Sequence, residues 1–278
     1  LFLFTAQCSI KVAITEVKAS STDGRGAAMR VVTTAFRVLE EVAVHQPVGV
    51  SELARILDEP KSTVQRALQA LHEVGWVEQE PGGTRRWVQT TKLLALASRG
   101  GGMSLRERAL PVMQELLERT DENIHLSVRN ERGITIVEKL ESSKVVRPHD
   151  PLGLVAPLHA TSTGKAILAW SDPEVLDDVL AHGLEGFTAR TLVDVDALHR
   201  ELRAIREAGY SINRGEWRDD IRGVAAAVRD ADGRARAAIS VAVPAHRLPD
   251  EQIPALGELV SRIVGRLNAA IPDAVLGA

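Results

Sequence analysis

Hydrophobic positions between residues 50 and 71 recur at helical spacing in two short bursts. Leu53, Ala54, Ile56 and Leu57 form the first apolar face, and Val64, Ala67, Leu68 and Leu71 the second. Asp58-Glu59-Pro60 lies between them. That tripeptide ends one helix and opens the next, with Pro60 suited to a first helical position. Ser51 is placed to cap the first helix, because its hydroxyl can accept an orphan amide. Gly75 stands where a helix closes with positive φ. Trp76-Val77-Glu78 and Trp87-Val88-Gln89 then read as strands around the turn Pro81-Gly82-Gly83. Upstream, Val32, Ala35, Phe36, Leu39 and Val42 line one face of a helix over 32–43. Three helices followed by a two-stranded ribbon is the layout of a winged helix-turn-helix, which sets its recognition helix in a DNA groove.

The polar positions of the same segment carry the chemistry. Opposite its apolar stripe the second helix of the motif presents Lys61, Ser62, Thr63, Gln65, Arg66 and Gln69. These types reach phosphates and base edges, and Arg and Gln read guanine and adenine with paired hydrogen bonds. Arg85 and Arg86 follow the ribbon turn, where they can meet phosphates or enter a minor groove. A polar helix face is equally the ordinary appearance of a solvated surface, so the basic ribbon tip beside it is what tips the reading toward DNA.

Beyond the ribbon the pattern changes. Thr91 can cap a short helix through Leu93, Leu94, Leu96 and Ala97, more apolar than a free linker needs and suited to packing on a second subunit. Gly100-Gly101-Gly102 marks a domain boundary. Ser104 and Glu107 form a capping box for a helix to about Thr120, within which Pro111 predicts a kink or irregularity. Strand-like runs at 124–129 and 134–140 flank Asn130-Glu131-Arg132-Gly133, and residues 143–159 read as a long loop with short extended pieces. Helices are predicted over 162–170, over 173–182 behind a Ser171/Glu174 capping box, and over 194–208 closed by Gly209. Strands at 210–213, 224–229 and 235–243 follow, the last two around Asp230-Ala231-Asp232-Gly233, before an amphipathic helix over 250–269. The fold class is therefore α+β: a winged helix-turn-helix over 29–90, a linker helix over 91–103, and an antiparallel sheet with helices against it over 104–272. Residues 1–28 are expected to be a disordered N-terminal extension; Met29 stands just before the first convincing helix, and LFLFTAQC makes a poor signal peptide.

Composition narrows the partners. The 278 residues suggest two domains, and 45% hydrophobic residues suffice for real cores. Net charge is −3, and residues 30–92 hold eight basic and eight acidic side chains. DNA affinity must then come from local placement of charge, helped by a dimer that doubles the contacts. Cys8 is the single cysteine, which excludes an intramolecular disulfide and a cysteine-rich zinc site and fits a cytoplasmic protein. No apolar run approaches the roughly 18 residues of a membrane span.

The chain carries Pro60-Lys61-Ser62-Thr63-Val64-Gln65-Arg66, then His159-Ala160-Thr161-Ser162-Thr163-Gly164-Lys165-Ala166, then Gly209-Tyr210-Ser211, then Gly223-Val224-Ala225-Ala226-Ala227-Val228 and Asp230-Ala231-Asp232-Gly233. In this order and spacing it resembles the IclR family of bacterial transcriptional regulators over residues 30–270. The resemblance implies a GAF-like sensor domain binding a small organic acid or aromatic compound. It also implies a dimer or dimer of dimers on a palindromic operator of a catabolic operon. By matching position, the effector would face Asn213, Gly223 and Ser240, with the loop before His159 closing the site. Glu216 and Trp217 share that segment as further candidate lining, Trp217 being equally readable as core. The chain departs from one version of the family pattern. Arg214-Gly215-Glu216-Trp217 replaces an acidic run, Gly223 stands where a cysteine is common, and Ala242 where a second serine is. These changes suggest a pocket less polar at two points, with an aromatic and a basic side chain nearby, and a larger or partly aromatic effector.

Other chemistry is set aside. Gly164-Lys165 looks like the end of a phosphate-binding loop, but His159 stands where that motif needs glycine and Ala166 where it needs Ser or Thr. His125, His149 and His159, with Glu138, could meet around a metal, although structural histidines are commoner. No catalytic constellation, metal site or cofactor is expected. Two further readings stay open: a metabolite-binding protein or enzyme whose N-terminal helices serve only oligomerisation, and a constitutive DNA binder with an inactive sensor.

Overall fold

The computed structural model describes residues 24–80, 82–83, 85–97, 102–131 and 133–269. The chain divides into two compact units, one ending at Leu96 and the other beginning at Ala97. The expected extension 1–28 overlaps the first helix from Gly24 onward, and residues 1–23, 98–101 and 270–272 lie outside the described residues.

The first unit is α1 (Gly24–His45), α2 (Val50–Leu57), α3 (Lys61–Glu73), β1 (Val77–Gln79), β2 (Trp87–Gln89) and α4 (Lys92–Ala97). Val64, Ala67, Leu68 and Leu71 are buried as their spacing predicts. They pack with Val38, Leu39, Val42, Leu53, Leu57, Val77 and Trp87 in one core. β1 and β2 pair antiparallel, and Val48 bridges to Trp87, which ties the ribbon to the loop before α2. The buried face of α1 is Ala35, Val38, Leu39 and Val42. Val32 and Phe36, assigned to that face by periodicity, are 56% and 58% exposed. They stand on the edge of the helical stripe, outside the core that the described residues form. Ser51 lies inside α2; Gly49 occupies the cap and no side chain satisfies the first amides. Pro60 is the residue before α3 rather than its first. Gly75 takes φ 79° after α3, as expected.

The second unit is a six-stranded antiparallel sheet in the order β5-β4-β3-β8-β7-β6. The strands are β3 (Asn123–Asn130), β4 (Gly133–Leu140), β5 (Val155–Ala156), β6 (Ser211–Asn213), β7 (Ile221–Arg229) and β8 (Ala235–Pro244). Helices cover both faces. On one lie α5 (Gly102–Thr120) and α9 (Ile253–Asn268), on the other α6 (Ser162–Ala169) and α8 (Val195–Ala208), with α7 (Pro173–Ala181) outside them. Strand alternation sorts the two faces. Val224, Ala226 and Val228 of β7 and Ile239, Val241 and Val243 of β8 join Met113, Leu116, Val260 and Ile263. Ala225, Ala227 and Ala238 face α6 and α8 instead. Fully buried side chains such as Leu198 and Ile239 each contribute roughly 1.5–3 kcal/mol.

The small residues on the α6 face let that helix approach closely. A Cβ on Gly164 would lie 2.2 Å from the Leu158 carbonyl oxygen, so no larger residue fits. Thr161 caps α6, its hydroxyl accepting from the Gly164 amide at 3.0 Å. The reading of this stretch as a helix start inside the sensor core agrees with the structure. Gly209 closes α8 as expected, and Asp194, the first residue of the expected helix, is its N-cap. Two helices start elsewhere than their capping boxes predict. α5 already begins at Gly102, ahead of Ser104, and runs through Pro111. α7 follows Asp172, while the Ser171 hydroxyl donates back to the Ile167 carbonyl at 2.9 Å.

Candidate nucleic-acid interface and effector cavity

On the outer face of α3, Lys61, Ser62, Arg66 and Gln69 are exposed and Thr63 and Gln65 are half-buried. Pro60 supplies no side-chain cap, and the Thr63 amide donates to the Pro60 carbonyl at 2.9 Å, which leaves the Lys61 and Ser62 amides at the helix start to meet an anion. The Arg66 Nε touches the Ser62 carbonyl at 3.4 Å, a weak contact that leaves the guanidinium on the surface. At the ribbon tip Arg85 is exposed and takes φ 51°, which turns it out of the strand. Arg86 behaves differently. Its Nε donates to the Pro47 carbonyl at 2.8 Å and its Nη2 meets Glu52 Oε2 at 3.3 Å. The basic pair is thus split: Arg85 projects, and Arg86 braces the ribbon against the start of α2.

In the second unit the sheet face toward α6 carries a cavity of about 50 Å³. Strand register builds its floor. His125 of β3 pairs with Ser240 of β8, Ala242 of β8 with Gly223 of β7, and Gly223 with Asn213 of β6. Thr161, Ser162 and Thr163 close it from the α6 start, and Asp150, Trp217 and Arg218 from two loops. Asn213, Gly223, Ser240 and Trp217 therefore come together as sequence reasoning placed them. A Cβ on Gly223 would stand 2.8 Å from Ser162 Oγ, so glycine lets β7 meet the α6 N-terminus here. Asn213 Oδ1 accepts the amides of Gly215 and Glu216 at 2.9 and 2.8 Å, which folds the following turn over the cavity.

Glu216 does not line this cavity. It turns away to Lys165, whose Nζ lies 2.7 Å from Glu216 Oε2 and 2.9 Å from Glu201 Oε1. Lys165 is fully buried, and Glu216 nearly so. Burial raises the Glu216 carboxyl above its ordinary value, with Lys165 opposing that shift. The Gly164-Lys165 pair thus serves packing and a buried ion triad.

Gly223 and Ala242 line the cavity, the two points at which a less polar wall is expected. His125, Ser127, Asp150 and Arg218 bring polar atoms to the same lining. His125 Nε2, Ser127 Oγ and Arg218 Nε are buried without a hydrogen-bond partner among the described residues. Arg218 Nη2 donates to Asp150 Oδ1 at 2.6 Å, and the Asp150 side chain is only 3% exposed. Burial drives the His125 imidazole down to about 4, so it is neutral at neutral pH. The candidate histidine cluster does not assemble. His125 faces Asp150, whereas His159 bonds the Glu185 carbonyl and packs on Phe187. Among the described residues no group of three His, Cys, Asp or Glu is placed to hold a metal ion. No helix among them is long and apolar enough to cross a membrane.

A helix-turn-helix unit together with a sheet domain that carries a cavity lined by both apolar and polar side chains is the make-up of a ligand-responsive DNA-binding regulator. Residues 31–81 match the family model described as the IclR helix-turn-helix domain, and residues 100–268 the model described as bacterial transcriptional regulator IclR C-terminal. The chain belongs to the IclR family of transcriptional regulators. It is similar to the HTH-type transcriptional regulator BhcR of Paracoccus denitrificans, 33% identical over 246 residues and covering 86% of each chain. It is also similar to KdgR of Escherichia coli, 32% identical over 221 residues, or 78% of this chain and 83% of the relative. Among solved structures, an IclR homologue from Microbacterium hydrocarbonoxydans complexed with 4-hydroxybenzoate superposes with a TM-score of 0.73. That match is 27% identical and covers 87% of this chain and all of the other. These relatives are regulators, not enzymes.

Proposed function

We propose that the chain regulates a catabolic operon by binding a palindromic operator as a dimer or dimer of dimers. In this reading Lys61, Ser62, Thr63, Gln65, Arg66 and Gln69 contact DNA from α3, and Arg85 from the ribbon. Arg86 acts one step behind, by holding the ribbon in place. A small organic or aromatic acid in the sheet cavity changes that affinity. The observation that carries the sensor half is the buried set His125 Nε2, Ser127 Oγ and Arg218 Nε. Groups left unpaired in a dry interior are costly unless something else satisfies them.

Two features favour a paired reader. The balanced charge of residues 30–92 gives one copy little bulk attraction to a polyanion. Val31, Val32 and Phe36 of α1 and Leu94 and Leu96 of α4 are exposed, apolar surface that a second copy would cover. A relative holds 4-hydroxybenzoate, which supports an acid, and a cavity of about 50 Å³ admits a ring only as the covering loop shifts. Fluorescence anisotropy on duplex from the region flanking the chain's own gene tests the reading. Salt-sensitive binding with preference over random duplex, weakened at least tenfold by Arg66→Ala, is expected. Equal affinity for random duplex, or no response to Arg66→Ala, would overturn it.

A further inference from the structure

The cavity is not empty of carboxylate, because the protein supplies its own. Asp150 lies on the loop between β4 and β5, buried against Arg218. The pairing is incomplete. Among the described residues Asp150 takes only Arg218 Nη2, at 2.6 Å, while the adjacent Nε is buried with no partner. A carboxylate that is free to approach squarely bonds both nitrogens of a guanidinium edge at once. Asp150, tethered to its loop, does not. Its other oxygen is 3.8 Å from His125 Nε2, beyond a hydrogen bond, and Ser127 Oγ is also unsatisfied. The lining thus holds polar atoms that the Asp150 carboxylate does not engage.

The loop is fastened on both sides of this residue. Asn123 Nδ2 donates to the Pro148 carbonyl at 2.8 Å, and Arg247 Nη1 to the Val146 carbonyl at 2.7 Å. Beyond it, the Gly153 amide donates to the Ile136 carbonyl at 2.8 Å, with Gly153 at φ 81°. Residues 149–152 are the stretch between these anchors, and Leu152 within it is half exposed.

We propose that Asp150 is an internal competitor for Arg218, and that the effector is a carboxylate which takes Arg218 through Nε and Nη2 together and displaces Asp150. The proposal rests on the reading of this cavity as the effector site. It gives the pair a role in specificity: an uncharged ligand of the same shape cannot replace the ion pair it must break. It also sets the working concentration, since apparent affinity is reduced by the fraction of molecules in which Asp150 holds the site. Opening moves residues 149–152 and leaves the anchored ends in place.

Titration calorimetry and thermal shift on the full chain test this, with acetate, glycolate and benzoate against acetamide and benzamide. Asp150→Asn is expected to bind at least one acid tenfold or more tighter than the parent, with the amides unaffected. Adding Arg218→Lys, which keeps the charge but loses the fork, should cancel the gain. Asp150→Ser serves as a second variant should the first melt without cooperativity. Equal acid affinity in parent and Asp150 variants would overturn the competitor while leaving the effector site standing. Amides binding as well as acids would overturn the carboxylate class. Folded variants that bind neither class would overturn both this proposal and the site on which it rests.

Discussion

Acidification should destabilise this protein through one identifiable group. His125 is buried on the cavity face of β3 and holds its proton only below a pH of about 4, against 6.5 in the unfolded chain. Burial is the leading cause; the nearby Arg218 and Lys139 add to it, and Asp150 works against it. Between those two pH values the unfolded state binds the proton and the folded state does not. The stabilisation is therefore complete above 6.5 and is lost as pH falls toward 4. Two and a half pH units at about 1.36 kcal/mol per unit come to about 3 kcal/mol. For a unit of this size that corresponds to a melting shift of roughly 6–12 °C. The assay is urea unfolding of parent and His125→Gln from pH 7 to 4. The parent should lose about 3 kcal/mol more than the variant over that window, since glutamine cannot charge. Imidazole NMR of the parent gives an independent reading that needs no variant. A His125 resonance titrating near 6.5, or parallel stability curves for the two proteins, would refute the reasoning.

Other expectations follow from the same packing. Lys165→Met leaves Glu216 buried without its cation and should cost about 3–5 kcal/mol in urea melts; adding Glu216→Gln should recover at least half, and a loss below about 1 kcal/mol would mean the triad is immaterial. Gly164→Ala drives a methyl into the Leu158 carbonyl and should cost about 3 kcal/mol; an unchanged melting temperature would contradict the close approach of α6. Arg86→Ala removes an exposed brace, so stability should fall by no more than about 1 kcal/mol. Its effect on DNA affinity should be smaller than that of Arg66→Ala in the same anisotropy titration, and the reverse order would restore Arg86 as a direct contact.

What the sequence makes legible here is local and periodic. Val64, Ala67, Leu68 and Leu71 sit on the buried face their spacing predicts, and the Asp230–Gly233 turn joins the strands expected to flank it. Cap positions are harder, because several candidates stand within two or three residues and packing chooses among them. Ser51, Ser104 and Ser171 were each placed at a helix start, and each sits away from the cap position. The cavity divides along the same line. Asn213, Gly223 and Ser240 could be placed through the family resemblance. His125, Ser127, Asp150 and Arg218 meet only through strand register and a loop that crosses from β4, which no linear spacing reports. Glu216 was grouped with Trp217 as a neighbour in sequence. In a tight turn adjacent side chains diverge, so Trp217 faces the cavity and Glu216 faces Lys165. A signal for the triad did exist: Lys165 is the single charge in the otherwise uncharged run of α6.

The central claim is that occupancy of the sheet cavity and DNA binding by α3 are coupled. The direct measurement is operator affinity of the full chain by anisotropy, with and without a saturating concentration of whichever tested acid raises its melting temperature most. Coupling of the size seen in regulators predicts a change of at least fivefold in the dissociation constant. Asn213→Ala, by releasing the turn over the cavity, should abolish that change while leaving the ligand-free affinity intact. An acid that stabilises the chain yet leaves operator affinity the same would contradict the account.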